Sequence, residues 1–77
     1  MPLFYFHVVT PDDLTLHDGV GLDLPDRFTA FEAGLQAAHR YEGYARFGNE
    51  IVPGWYVEVT TEGGELCWRF PIDGRRP

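Results

Sequence analysis

The sequence predicts an α+β fold: a small antiparallel β-sheet with one α-helix packed on one face, in the order β-β-β-α-β-β. Three observations carry this. Leu3 to Val9 is a run of aromatic and β-branched residues closed by Thr10-Pro11-Asp12-Asp13, which reads as a strand and a turn with Pro at its second position. Phe31, Leu35, Ala38, Tyr41 and Ala45 recur at helical spacing, with polar residues on the other side. Trp55 to Phe70 alternates on both sides of Glu62-Gly63-Gly64-Glu65, the pattern of a hairpin. Strands on both sides of a single helix give an antiparallel sheet covered on one face.

The elements follow in order. After the first strand, Leu14 and Leu16 alternate with Thr15 and His17, and Leu22 and Leu24 flank Asp23. These are two short strands, with Asp18-Gly19 as the hairpin turn between them. Pro25-Asp26 ends the sheet. Thr29-Ala30-Phe31-Glu32 fits a capping box, with Asp26 as a rival cap, so the helix is expected over about 29–47. Gly48 suits its C-terminal cap. Gly34 and Gly43 each cost about 1 kcal/mol against Ala inside a helix, and let it lie close to the sheet. Residues 49–54 form a loop.

In the last hairpin, Val57, Val59, Leu66, Trp68 and Phe70 are expected to face the helix. Tyr56, Glu58, Cys67 and Arg69 are expected opposite. Residues 1–77 make one domain, with 72–77 as a flexible tail.

Composition removes several classes of function. An apolar fraction of 44% is too high for disorder. Twelve acidic residues face six basic ones, all Arg. Residues 1–26 hold Asp12, Asp13, Asp18, Asp23 and Asp26 and no Lys or Arg. A chain without a basic stripe lacks what nucleic acid and anionic lipid require. The single Cys67 cannot form an internal disulfide, which favours a reducing cytoplasm. The apolar start has no basic region and no cleavage site, and is too short to span a bilayer.

No constellation of residues carries chemistry by its spacing. His7, His17 and His39 lack the spacing of a zinc site. Cys67 sits on a strand as an inert or half-exposed thiol. The five aspartates occupy turn and cap positions without the order of a calcium loop. The twelve aromatics, 16% of the chain, belong to a core and a protein-contact surface. No catalytic, cofactor-binding or metal-binding residue is assigned.

Met1-Pro2, Phe4-Tyr5-Phe6-His7, then Asp18, Gly21 and Leu24-Pro25-Asp26 precede an Ala-rich helix. Trp55, Val57, Glu58, Val59, Glu62 and Gly63 follow it in the closing hairpin. In this order the chain resembles a family of short uncharacterised bacterial proteins, a domain of unknown function. Its members start M-P-x-Y-F-F-H and carry D-x-x-G-x-E-L-P-D ahead of the helix. Asp23 stands where the family has Glu, and Phe31 and two glycines depart from its helix. The resemblance implies the fold and a bacterial cytoplasm, and transfers no activity. The sheet, Leu-Pro-Asp and Thr-capped helix also resemble, in topology, the antitoxin half of certain RNA-targeting toxin–antitoxin pairs. Those proteins neutralise a basic toxin.

The expected function is therefore non-enzymatic: protein–protein binding, as a homodimer formed through the sheet face away from the helix. Both sides of the first strand are apolar, whereas a wet face alternates cleanly. The interface candidates are Leu3, Tyr5, His7, Val9, Tyr56 and Arg69. A β-bulge in the first strand is the competing account, since it would turn these side chains into the core. An antitoxin-like regulator, whose acidic half masks a basic protein, is the alternative. A small enzyme using His7 or Cys67 comes third.

Overall fold

The computed structural model describes residues 2–72, apart from the side chains of Phe47 and Ile51. Strand β1 (Leu3–Val9) is followed by two-residue strands β2 (Thr15–Leu16) and β3 (Leu22–Asp23). Helices α1 (Arg27–Arg40) and α2 (Glu42–Ala45) come next, then a short hairpin, β4 (Arg46–Phe47) and β5 (Glu50–Ile51). Strands β6 (Tyr56–Thr61) and β7 (Leu66–Pro71) complete the chain. The main sheet is antiparallel and α1 lies on one side of it, the α+β arrangement expected.

β1 is its centre. β6 takes one edge of β1 along six residue pairs, from Phe4↔Thr61 to Val9↔Tyr56. β2 and β3 share the other edge end to end. β2 lies opposite Val8 and Val9, and β3 opposite Leu3 and Phe4. β7 pairs with β6 and forms the outer border of the sheet.

The turn after β1 is as expected, with Asp13 N–H donating to Thr10 O across Pro11 at 3.0 Å. The two short strands do not pair with each other, so Asp18-Gly19 is not a hairpin turn.

The core lies between the sheet and α1. Phe4, Val8, Val57, Val59 and Phe70 meet Ala30, Ala37 and Ala38. Val57 and Val59 have no exposed surface, and full burial of each stabilises the fold by about 1.5–3 kcal/mol. The Phe31 ring meets Trp68 and Phe70 edge-on, at centroid distances of 4.9 and 5.1 Å. Gly34 allows this close approach: a Cβ there would strike the Phe70 ring and lie 3.0 Å from Val59 Cγ2. Gly43, by contrast, has open space around it.

The helix boundaries differ from those expected. Asp26 is the N-cap, and its Oδ1 accepts from Thr29 N at 2.8 Å and from Thr29 Oγ1 at 3.0 Å. One carboxylate oxygen thus takes two donors, and the Thr29 hydroxyl is consumed as a donor. α1 stops at Arg40, and Tyr41 separates it from α2. The β4–β5 hairpin then occupies the expected helix end and part of the expected loop. Gly48, at φ +63°, serves that hairpin turn and not a helix cap.

The last hairpin holds a second departure. Its register shifts between Val59 and Thr60: Val59 pairs with Trp68, but Thr60 pairs with Leu66. Cys67 is the extra residue, as in a β-bulge. Leu66 therefore leaves the helix side and is 50% exposed. Cys67 is half-buried and packs against the core. The irregularity is in this hairpin, while β1 pairs with β6 without a break. Ile72, expected in the tail, is buried, and its N–H donates to Trp55 O at 2.8 Å. Residues 73–77 of that tail lie outside the described residues.

Candidate functional site

Two surfaces hold side chains that the core does not use. The first is the sheet face away from α1. The register places Tyr5 beside Thr60, His7 beside Glu58, and Val9 beside Tyr56. Glu58 is in turn opposite Arg69. Of the expected interface residues, Leu3, Tyr5, His7 and Tyr56 are half-buried, Arg69 is exposed and Val9 is buried. Arg69 Nη2 lies 3.5 Å from Glu58 Oε2. Its guanidinium carbon also stands 4.0 Å from the centre of the Tyr56 ring, a cation–π geometry. Tyr5 and His7 stack at 6.2 Å, and His17 meets the His7 ring edge-on at 5.2 Å. Leu3 stands apart at the β3 end, opposite Asp23.

Asp18 organises the middle of this face. It fills the gap left between β2 and β3 along β1. Its Oδ2 accepts from Phe6 N at 3.1 Å, a bond that a continuous strand would have supplied. Its Oδ1 accepts from Val20 N and Gly21 N at 3.0 and 3.1 Å. Its own N–H donates to His7 Nδ1 at 2.9 Å. Gly21 has φ +77°, and a Cβ there would lie 2.9 Å from Tyr5 Cε1. Both the backbone angle and the aromatic ring therefore require glycine. Burial alone would raise the Asp18 carboxyl pKa. The N–H groups of Gly21, Val20 and Phe6 outweigh it and hold the carboxyl below its ordinary value. The sequence signal for this device was the spacing Asp18-x-x-Gly21, a side-chain turn and not an Asp-Gly hairpin.

The geometry limits the chemistry available here. A backbone N–H can only donate, so His7 Nδ1 is an acceptor and the ring proton sits on Nε2. That nitrogen then donates to Thr60 Oγ1, 3.1 Å away. Both ring nitrogens and both Asp18 oxygens are engaged within the chain. The Cys67 sulfur faces Glu65 O at 4.0 Å. Among the described residues no three His, Cys, Asp or Glu side chains converge to hold a metal ion.

The second surface was not foreseen. α1 packs mainly on β6 and β7, and only lightly on β1. The β1–β2–β3 border of that face is left open as a cavity of about 430 Å³. Phe6 and Val8 form its floor, Leu16 and Leu22 one wall, and Ala33 and Ala37 the other. Arg40 and Tyr41 line its end at the C-terminus of α1. Leu16 and Leu22 pair with Val8 and Phe4, which places them on the helix side of the sheet. Yet they are 53% and 50% exposed, because the helix does not reach them.

No helix among the described residues is long and apolar enough to cross a membrane. No curated protein and no solved structure matches the chain. The chain belongs to the family described as domain of unknown function DUF6894, whose sequence profile matches residues 3–73.

Proposed function

We propose that this member of a family without assigned function is a non-enzymatic binding protein that pairs with a second copy of itself through the open sheet face. One observation carries the reading. Leu3, Tyr5, His7 and Tyr56 remain part-exposed on the face away from α1, which no described helix covers and which the loop of His17, Asp18 and Gly21 covers only in part. Aromatic and aliphatic side chains with an Arg at hand are the composition of an interface centre. A chain of 77 residues also gains stability by associating. The lone half-buried thiol of Cys67 supports a reducing cytoplasm as its setting.

Sedimentation equilibrium at low micromolar concentration tests the proposal. The expected mass is twice 8.8 kDa, and a clean monomer overturns it. Tyr5→Glu and Arg69→Glu should each dissociate the dimer. Glu32→Arg, on the exposed side of α1, should leave it intact. Circular dichroism separates dissociation from unfolding, because Tyr5 also packs on Gly21.

An antitoxin-like role, masking a basic protein, is the second reading. It draws on the exposed Asp12, Asp13 and Asp23 of the uncompensated N-terminal stretch. It is the weaker one, since both oxygens of Asp18 and one of Asp26 are spent on the chain itself.

A further inference from the structure

We propose that the groove between α1 and the β1–β2–β3 border binds an apolar monocarboxylate, its head group at Arg40 and its hydrocarbon along Phe6, Leu16 and Leu22. The volume, about 430 Å³, falls in the range of small-molecule sites. Ala33 and Ala37 leave the helix wall nearly bare, so a chain can lie against it. A helix rises 1.5 Å per residue, which sets Ala33 about 10 Å from Arg40 along the axis. That length suits a medium-chain acid.

Charge selects the head group. Arg27, Arg46 and Arg69 each have a carboxylate partner. Among the described residues Arg40 has none, although the chain holds twelve acids and six basic residues. An unpaired guanidinium at the end of a groove whose floor and walls are apolar, with His17, Asp18 and Gly19 at its rim, matches a carboxylate, which it can hold through two parallel hydrogen bonds. Asp18 also lines the groove, but three backbone N–H groups already occupy its oxygens. The groove opens on the helix side of the sheet and the proposed dimer interface on the other. They share the loop of His17 and Asp18, but sedimentation and ligand titration read them separately, so either proposal can fail alone.

The test is titration of the ¹⁵N-labelled protein with octanoate, octanol and acetate, followed by amide NMR. Octanoate should give saturable shifts at Gly19, Ala33 and Ala37. Octanol should bind more weakly, and acetate should not bind in the groove. Arg40→Gln should weaken octanoate about tenfold and leave octanol unchanged. Leu22→Glu, at an exposed position, should abolish binding of both. The absence of saturable shifts overturns the proposal. So do shifts confined to Tyr5 and Tyr56, equal affinity for octanol and octanoate, or an Arg40→Gln variant that binds octanoate normally.

Discussion

The backbone N–H of Asp18 donates to Nδ1 of His7 across 2.9 Å. A loop that would otherwise hang between two very short strands is thereby tied to the central strand. The same bond fixes the imidazole, since Nδ1 must be bare to receive it. Long-range ¹H–¹⁵N spectra should show the neutral His7 ring protonated on Nε2. The opposite tautomer would mean that the bond does not form. His7→Phe keeps the ring but strands the Asp18 donor, and should cost about 1–2 kcal/mol in urea denaturation.

Two carboxyls with lowered pKa make the fold sensitive to acid. Burial opposes ionisation of Asp18, but the backbone donors of Gly21, Val20 and Phe6 prevail and lower its pKa below 3.8. Hydrogen bonds from Thr29 do the same for Asp26. A depressed folded-state pKa contributes stability above the unfolded value, and that contribution disappears as pH falls through the folded one. The protein should therefore lose stability progressively below pH 3.8. Asp18→Asn should be less stable by about 1–3 kcal/mol at neutral pH, because its amide nitrogen would face N–H donors. Its loss of stability in acid should be shallower. Identical pH profiles for the two proteins would remove Asp18 from this account.

Gly34 and Gly43 should respond in opposite ways to alanine. Helix propensity alone favours both changes by about 1 kcal/mol. At Gly34 the added methyl meets the Phe70 ring and Val59, and overpacking of this kind costs about 1–3 kcal/mol. At Gly43 it meets open space. Urea midpoints should fall for Gly34→Ala and hold or rise for Gly43→Ala. A stabilised Gly34→Ala would show that the helix can lift from the sheet without loss.

The indole Nε1 of Trp68 is buried without a hydrogen-bond partner among the described residues. Trp68→Phe removes that unmatched donor while retaining a ring against Phe31. The lost area and the relieved donor offset each other, so stability should stay within about 1 kcal/mol of wild type. A loss of several kcal/mol in thermal or urea unfolding would mean that the indole N–H has a partner in solution.

Local pattern located the long elements because burial enforces it. β1, β6 and the alternation of Val57, Val59, Trp68 and Phe70 all reflect one buried face. Pattern failed where single atoms compete. Asp26 outbids Thr29 for the helix start because its one oxygen accepts two donors. Gly48-Asn49 is itself a two-residue hairpin signal, masked by the apolar spacing of the helix running into it. The exchange of Leu66 and Cys67 comes from one extra residue in β7, which alternation counts as regular. The groove could not be read at all. Leu16 and Leu22 carry the same signature whether a helix covers them or stops short, and only the placement of α1 over β6 and β7 decides it.

β1 has partners on both sides, and Asp18 occupies the interval where a strand is missing. Among the described strands of the main sheet, β7 is the outermost on its side. Foreign chains that add to a sheet need an uninterrupted ladder of amide groups. Here the ladder is broken by the irregularity at Cys67, and it ends on Pro71, which has no N–H to offer. Only the short run of Trp68, Arg69 and Phe70 remains between them. Fibrillar growth thus meets an obstacle at each end of the border most open to it. Removing both, by deleting Cys67 and replacing Pro71 with Val, would turn β7 into a template for strand addition.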